Sequence, residues 1–402
     1  MNPNLTKRVP ATSRLLVRLA AFSGLAGTQL WCAASDDNAP EGKTPETQLE
    51  AGARDSGDGQ DASLEDAADA ATVSRCTEAF CRVSVPETDT RSLNGIWARS
   101  STDVWLVGSS GFAAHFDGNG WSKIPTGTKY TMLAVAGLSD GTVWAASNGH
   151  SFFALDRPAE DGGAPIVDGS FSGMVTGIAP YGTAEAFAVG EVVVSWDDPL
   201  GGDDIWRFTN ADGEGAKWWP VSPSCTWYNA SRGCPTFRAV WVQSATTQWF
   251  AGDDGKIYRS AGAEADGGSD GGGPPRLKLV ETDSSSLRGL KALWGSGEND
   301  VWAVGAQGVI RHWVGGEAWT VVPSPVTDDL YGLWGASAND IWAVGDHGAV
   351  IHWNGAEWSV APVPFVPTSR PRLRSVTGAG HDVWIAGEGV VLRTASTSGD
   401  AP

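Results

Sequence analysis

Seven residues occupy one fixed place in a recurring pattern and differ in chemistry: Asn94, Leu133, Thr176, Arg238, Lys291, Tyr331 and Arg374. The column just before them is large and apolar, from Leu93 to Leu373, and the column just after is small, from Gly95 to Ser375. A polar column between a large and a small one is not explained by burial alone. Arg238, Lys291, Tyr331 and Arg374 fall in the last four copies, and such a cluster within a chain of net charge −19 predicts a site for an anionic ligand. The alternative is that each cation pairs with a nearby carboxylate or faces water.

A second candidate site lies in an insertion over residues 197–236, which holds Trp206, Trp218, Trp219, Trp227 and Tyr228. Aromatics on a loop outside the repeat are not needed for its core, and inserted loops often carry binding. Cys225 and Cys234 would staple this loop, and Cys76 and Cys81 form a second close pair. Four cysteines allow three pairings, and proximity favours these two local disulfides. Zinc is disfavoured, since neither pair has Cys-x2-Cys spacing and no His stands beside them. The run Asn210-Ala211-Asp212-Gly213-Glu214 lacks the bidentate Glu spacing of a calcium loop. No metal and no cofactor is implied.

Catalytic signatures are missing where spacing can test them. There is no Gly-x-Ser-x-Gly, no His-Glu-x-x-His and no phosphate-cradling Gly-x4-Gly-Lys. Glycosidases assemble carboxylates and arginines from distant segments, so a hydrolase stays open as an alternative. A sialidase-like site would want three clustered arginines, and Arg238, Lys291 and Arg374 approach this without matching it.

These residues need a frame, and composition points to strands. The 402 residues include 52 Gly and 21 Trp, with only 19% charged. That mixture suits short strands and tight turns and is poor in the residues of long helices. With 28 basic against 47 acidic residues, a nucleic-acid partner is excluded, because phosphate neutralisation needs a basic face. The same balance opposes binding to anionic membrane surfaces.

The body repeats. Residues 290–319 contain Leu293-Trp294-Gly295, then Asn299-Asp300-Val301-Trp302-Ala303-Val304-Gly305, then His312-Trp313 and Trp319. The next copy follows it closely through Asp340-Ile341-Trp342-Ala343-Val344-Gly345 and His352-Trp353. Clear copies begin and end the array at Asp103-Val104-Trp105 and Asp382-Val383-Trp384, and three degenerate ones lie between, at Trp144, Phe187 and Trp249. The third copy is read as continuing through Trp196. A unit of about forty residues with four short strands is a propeller blade. Seven copies predict an all-β, seven-bladed β-propeller with four-stranded blades. The last copy stops after its third strand, so residues 80–86 are expected to supply the outer strand of the seventh blade.

The motif Asp-Val-Trp-Ala-Val-Gly, with the later His-Trp and trailing Trp, resembles Asp-box (BNR-like) and tectonin-type propeller repeats. The resemblance covers residues 93–394 and implies the fold; its tectonin side implies a lectin that uses Trp platforms. Recurrence of Trp in every blade instead indicates packing between blades. The repeated Asp (Asp103, Asp300, Asp340, Asp382) and the basic position twelve or so residues on (His115, Arg259, His312, His352, Arg393) are read as structural hydrogen-bonding partners.

Residues 1–34 read as an export signal. Lys7, Arg8, Arg14 and Arg18 are the only charges before Asp36, and an apolar stretch over 15–31 precedes Cys32. This resembles a bacterial lipoprotein signal with Cys32 as the lipidated residue, although Trp31 stands where a small residue is expected. Ordinary cleavage after Cys32-Ala33-Ala34 is the alternative. Residues 35–75 form an acidic tether too poor in apolar side chains to fold, the propeller spans 76–396, and 397–402 is a short tail. The expectation is an exported monomer, held at the cell envelope or released, that binds a protein or a glycan without catalysis and meets membrane only through its lipid.

Overall fold

The computed structural model describes residues 76–149, 151–157, 166–168, 173–192, 204–209, 217–222, 236–264 and 273–395. All described residues belong to one compact unit. That unit is a seven-bladed β-propeller: seven antiparallel sheets of four strands each. Consecutive innermost strands are neighbours, and the innermost strand of blade 7 returns to that of blade 1. These strands are Leu93–Ser100, Met132–Gly137, Gly173–Tyr181, Phe237–Ser244, Leu290–Gly297, Leu330–Ser337 and Leu373–Ala379.

Closure follows the sequence expectation. Phe80–Val83 pairs antiparallel with the strand Val390–Thr394 and completes blade 7. Both ends of the propeller thereby share one sheet, and the outer edge of Val390–Thr394 is covered. Phe80 is fully buried and meets Trp342 edge-on at 5.3 Å, so the closing strand is also wedged into blade 6. Cys81 of this strand forms a disulfide with Cys76, which lies just before it. Cys225 and Cys234 lie outside the described residues, as do Cys32, residues 1–75 and the 397–402 tail.

The small column marks where innermost strands crowd. A Cβ added at Gly95 would come within 3.1 Å of the Val135 backbone nitrogen in the next blade, and one at Gly332 within 3.1 Å of that of Val376. Two residues further along, blades interlock by size. Trp97 packs over Gly137, Trp241 over Gly295, Trp294 over Gly335 and Trp334 over Gly378, each ring 2.5–2.7 Å from where a Cβ would stand. Where the first position is small, the facing one has a side chain. Ala179 packs with Val242, and Thr377 Oγ1 accepts from the Ala98 backbone N–H at 3.3 Å. Ala136 and Pro180 stand at the corresponding positions of blades 2 and 3.

Blade 3 corrects the sequence expectation. Its third and fourth strands are Ile205–Thr209 and Lys217–Pro220. The insertion therefore does not span 197–236 as one loop, and Trp206 and Trp218 are blade residues. Trp196 lies outside the described residues. In blade 4 the third strand runs from Ile257 to Ala263.

Candidate functional site

Every innermost strand carries the same irregularity. Leu93 pairs with Gly108 and Gly95 with Val107, which leaves Asn94 without a cross-strand partner. The same skip falls on Leu133, Thr176, Arg238, Lys291, Tyr331 and Arg374. A β-bulge leaves its extra residue unpaired and re-aims the side chain. Here it does so seven times around one axis, and all seven side chains line a central cavity of about 200 Å³. The bulge explains why this column varies: it answers to the channel rather than to the sheet.

The cations of the cavity are paired. Arg238 Nε donates to Asp253 at 2.7 Å, and Arg374 Nη2 to Glu388 at 3.0 Å. Tyr331 donates its hydroxyl to Asp346 at 3.0 Å, and Arg372 Nε donates to the other oxygen of Asp346 at 2.5 Å. Lys291 Nζ lies 3.8 Å from Asp329. Tyr331 sits between two cations, Lys291 Nζ at 5.1 Å and the Arg372 guanidinium at 5.3 Å from its ring centre. Burial, then the hydrogen bond to Asp346, pushes the Tyr331 phenol up to about 12, and the same carboxylate raises Arg372. The site is a ring of coupled charges of both signs, so the alternative of paired cations describes Arg238 and Arg374 better than a bare basic cluster does. Asn94 and Thr176 are also engaged, donating to the Met132 and Val189 carbonyls at 2.8 and 3.4 Å.

The carboxylates were not singled out in the sequence. Asp253, Asp346 and Glu388 share one position, directly after the Gly that ends the second strand of the blade. That regularity was the available signal.

Among the described residues, the insertion aromatics Trp206, Trp218 and Trp219 do not form a shared platform. Trp218 is 1% exposed, stacked on Phe152 at 4.2 Å and packed on Trp144 and Phe208. Its burial is that of a core residue, which corrects its placement on a binding loop. Trp219, on the opposite side of the same strand, is partly exposed and holds Lys217 Nζ 4.2 Å above its ring. Trp227 and Tyr228 lie outside the described residues.

The Asp and basic columns hold each other. Asp300 Oδ1 accepts from Trp302 Nε1 at 2.8 Å and meets His312 Nε2 at 2.7 Å, while the His312 ring stacks on Trp302 at 3.8 Å. Asp103 with Trp105 and His115, and Asp340 with Trp342 and His352, repeat this bracket. Arg393 serves in blade 7, bonding Asp382. Blade 3 has an equivalent that the sequence reading missed: Arg207 bonds Glu185 at 2.7 Å and lies over Phe187. Among the described residues no cluster of three or more His, Cys, Asp or Glu is placed to hold a metal ion.

No protein-family model and no curated protein matches this chain. Solved structures do match it. A structure described as YCF48 bound to D1 peptide aligns with TM-score 0.57 at 14% identity, over 81% of this chain and 98% of that one. The WD40 propeller domain of Doa1 aligns with TM-score 0.57 at 11% identity, over 80% and 97%. Virginiamycin B lyase from Staphylococcus aureus gives 0.58 at 15%, over 78% and 98%. At such identities the likeness is one of fold.

Proposed function

We propose that this chain is an exported, non-enzymatic binding protein that recognises a protein partner at its central channel. The observation that carries this reading is the convergence of seven bulged side chains, one per blade, on a single cavity. Its volume of about 200 Å³ is below the roughly 300–1,000 Å³ of sites that engulf a small ligand. A cavity of that size suits one anchoring side chain or chain end of a larger partner. A structure described as YCF48 bound to D1 peptide has this fold and holds a peptide.

A glycan is the second reading, favoured by the partly exposed Trp219 beneath Lys217. Burial of Trp218 weakens it, because two adjacent rings cannot then share a sugar face. The test is to present the full chain to peptide and glycan arrays beside Arg374→Gln and Trp219→Ala variants. Peptide binding lost in Arg374→Gln supports the channel. Glycan binding lost only in Trp219→Ala replaces it with the lectin reading.

Export and anchoring at Cys32 belong to the same proposal and rest on the N-terminal charge and hydropathy pattern. Growth with labelled palmitate should mark the wild-type chain and not Cys32→Ser. Equal labelling, or none in either, removes the anchor.

A further inference from the structure

We propose that the channel is a carboxylate receptor, with Lys291 as its primary contact and Arg374 as its second, and that the occupant is an acidic side chain or the chain terminus of a protein partner. This deepens the binding function proposed above and rests on it.

The argument starts from blades 5 and 6, which share nearly the same sequence and backbone. Blade 6 runs Gly345-Asp346-His347-Gly348 after its second strand, and blade 5 runs Gly305-Ala306-Gln307-Gly308. Both form the same short turn, with φ of 51° at His347 and 55° at Gln307. In blades 4, 6 and 7 the residue after the first Gly is a carboxylate that bonds the bulged side chain of its own blade. In blade 5 that residue is Ala306. Lys291 is thus the one bulged cation whose own blade offers no acid. It turns to Asp329, at 3.8 Å, beyond hydrogen-bond reach. Asp329 Oδ1 already accepts from the Gln307 backbone N–H at 2.8 Å, and Asp346 is taken by Tyr331 and Arg372.

Arg374 adds an independent observation. It spends Nη2 on Glu388, while its buried Nε–H has no hydrogen-bond partner. Buried donors are normally satisfied, and an exception calls for an explanation. Both residues line the same cavity. On the other side of the ring, Asn94, Leu133 and Thr176 are uncharged. Donor capacity is therefore concentrated on the arc from blade 5 to blade 7. A carboxylate is the small anion a protein partner can supply there, and the cavity volume fits one such group with its stem. The net charge of −19 repels polyanions at long range, which favours one carboxylate on an otherwise neutral or basic segment.

The probe is a random octapeptide library without Asp or Glu, made with free or with amidated C-termini, and a third, amidated pool carrying one Glu. Retention on the full chain is read for wild type, Lys291→Gln, Ala306→Asp and Arg374→Gln. Ala306→Asp restores the missing acid on a turn that already accepts Asp346, so it should leave folding intact and occupy Lys291 internally. The expected result is retention of the free-carboxylate pool, the Glu pool or both over the amidated acid-free pool. Each variant should weaken it about tenfold to a hundredfold, as for loss of a charge-assisted hydrogen bond. Preference for the free terminus over internal Glu identifies a chain end as the occupant, and the reverse identifies a side chain. Retention indifferent to carboxylates yet lost in Arg374→Gln would overturn the receptor and leave the channel as a binding site. Retention unchanged in Ala306→Asp, or no retention of any pool, would also overturn it.

Discussion

The two ends of each innermost strand obey different rules. Toward the C-terminal end, blades are matched in size: Trp97, Trp241, Trp294 and Trp334 each meet a glycine of the following blade. Toward the N-terminal end, a bulge releases one residue per blade from the ladder, and that residue ranges from Leu133 to Arg374. One end specifies the ring; the other is left free to specify what the ring contacts. The difference shows how a repeat can hold its geometry while its channel diversifies: the bulge separates the two demands on a single strand.

The largest break in the packed end is Trp302→Ala. Its indole is 1% exposed, held by Asp300 and stacked on His312. Truncating a buried aromatic costs about 3–5 kcal/mol, and urea unfolding should show this as a lowered midpoint. A loss below about 1 kcal/mol would mean that the Asp–Trp–His bracket is not part of the folded core.

Next comes Gly335→Ala, whose Cβ would stand 2.6 Å from the Trp294 ring. Overpacking of this kind costs about 1–3 kcal/mol. The sharper form is a double-mutant cycle. If ring and glycine are matched, adding Trp294→Ala should recover part of the Gly335→Ala loss, because contacting residues couple. Strict additivity would show that the pairing of large and absent side chains is coincidental.

At the open end, Lys291→Gln should change the unfolding free energy by no more than about 0.5 kcal/mol, as for a surface substitution. Lys291 is partly exposed and its ion pair is long, and such pairs contribute about 0–1 kcal/mol. A larger loss would make the channel column part of the scaffold and dissolve the contrast between the two ends.

The same contrast governs what the sequence makes visible. The seven blades, the small column and the closing strand at Phe80 are legible because each repeats, or completes, a pattern along one chain. The fit of Trp241 to Gly295 is harder to see, since it joins positions in different copies shifted by one residue. The bulge is invisible to composition; only the polarity of the residues between Leu290 and Ala292, or their equivalents, hints at it. Blade 3 is misread for a local reason. Its second and third strands, Glu185–Val192 and Ile205–Thr209, are far apart in sequence, so the repeat pattern is read through Trp196 and Trp218 then falls into an apparent loop. Glu185 and Arg207 in place of Asp and His conceal the bracket that would have fixed the register. The pairing of Arg238 with Asp253 depends on side-chain reach across a turn, which spacing alone does not reveal.

The smallest expected effect is a titration that reports on the open end directly. Among the described residues, Tyr331 and Tyr258 have phenols pushed up to about 12, in both cases first by burial. For Tyr331 the next causes are its hydrogen bond to Asp346 and the charge of that carboxylate. A phenol whose folded value exceeds the ordinary value of about 10 stabilises the fold fully below pH 10, and that contribution is lost as pH rises toward 12. Tyrosinate absorbance should therefore show one late-titrating group fewer in Tyr331→Phe than in the wild-type chain. Removing the acid in Asp346→Asn should bring the Tyr331 step back toward 10 without moving Tyr258, whose charged neighbours are Glu281, Lys256 and Asp254. If Tyr331 titrates normally in the wild-type protein, its hydroxyl is not committed to Asp346, and the channel is looser and wetter at blade 6 than its geometry describes. If the step survives Asp346→Asn unchanged, burial alone sets it, and the coupled charges that distinguish the open end from the packed end do not extend to this ring.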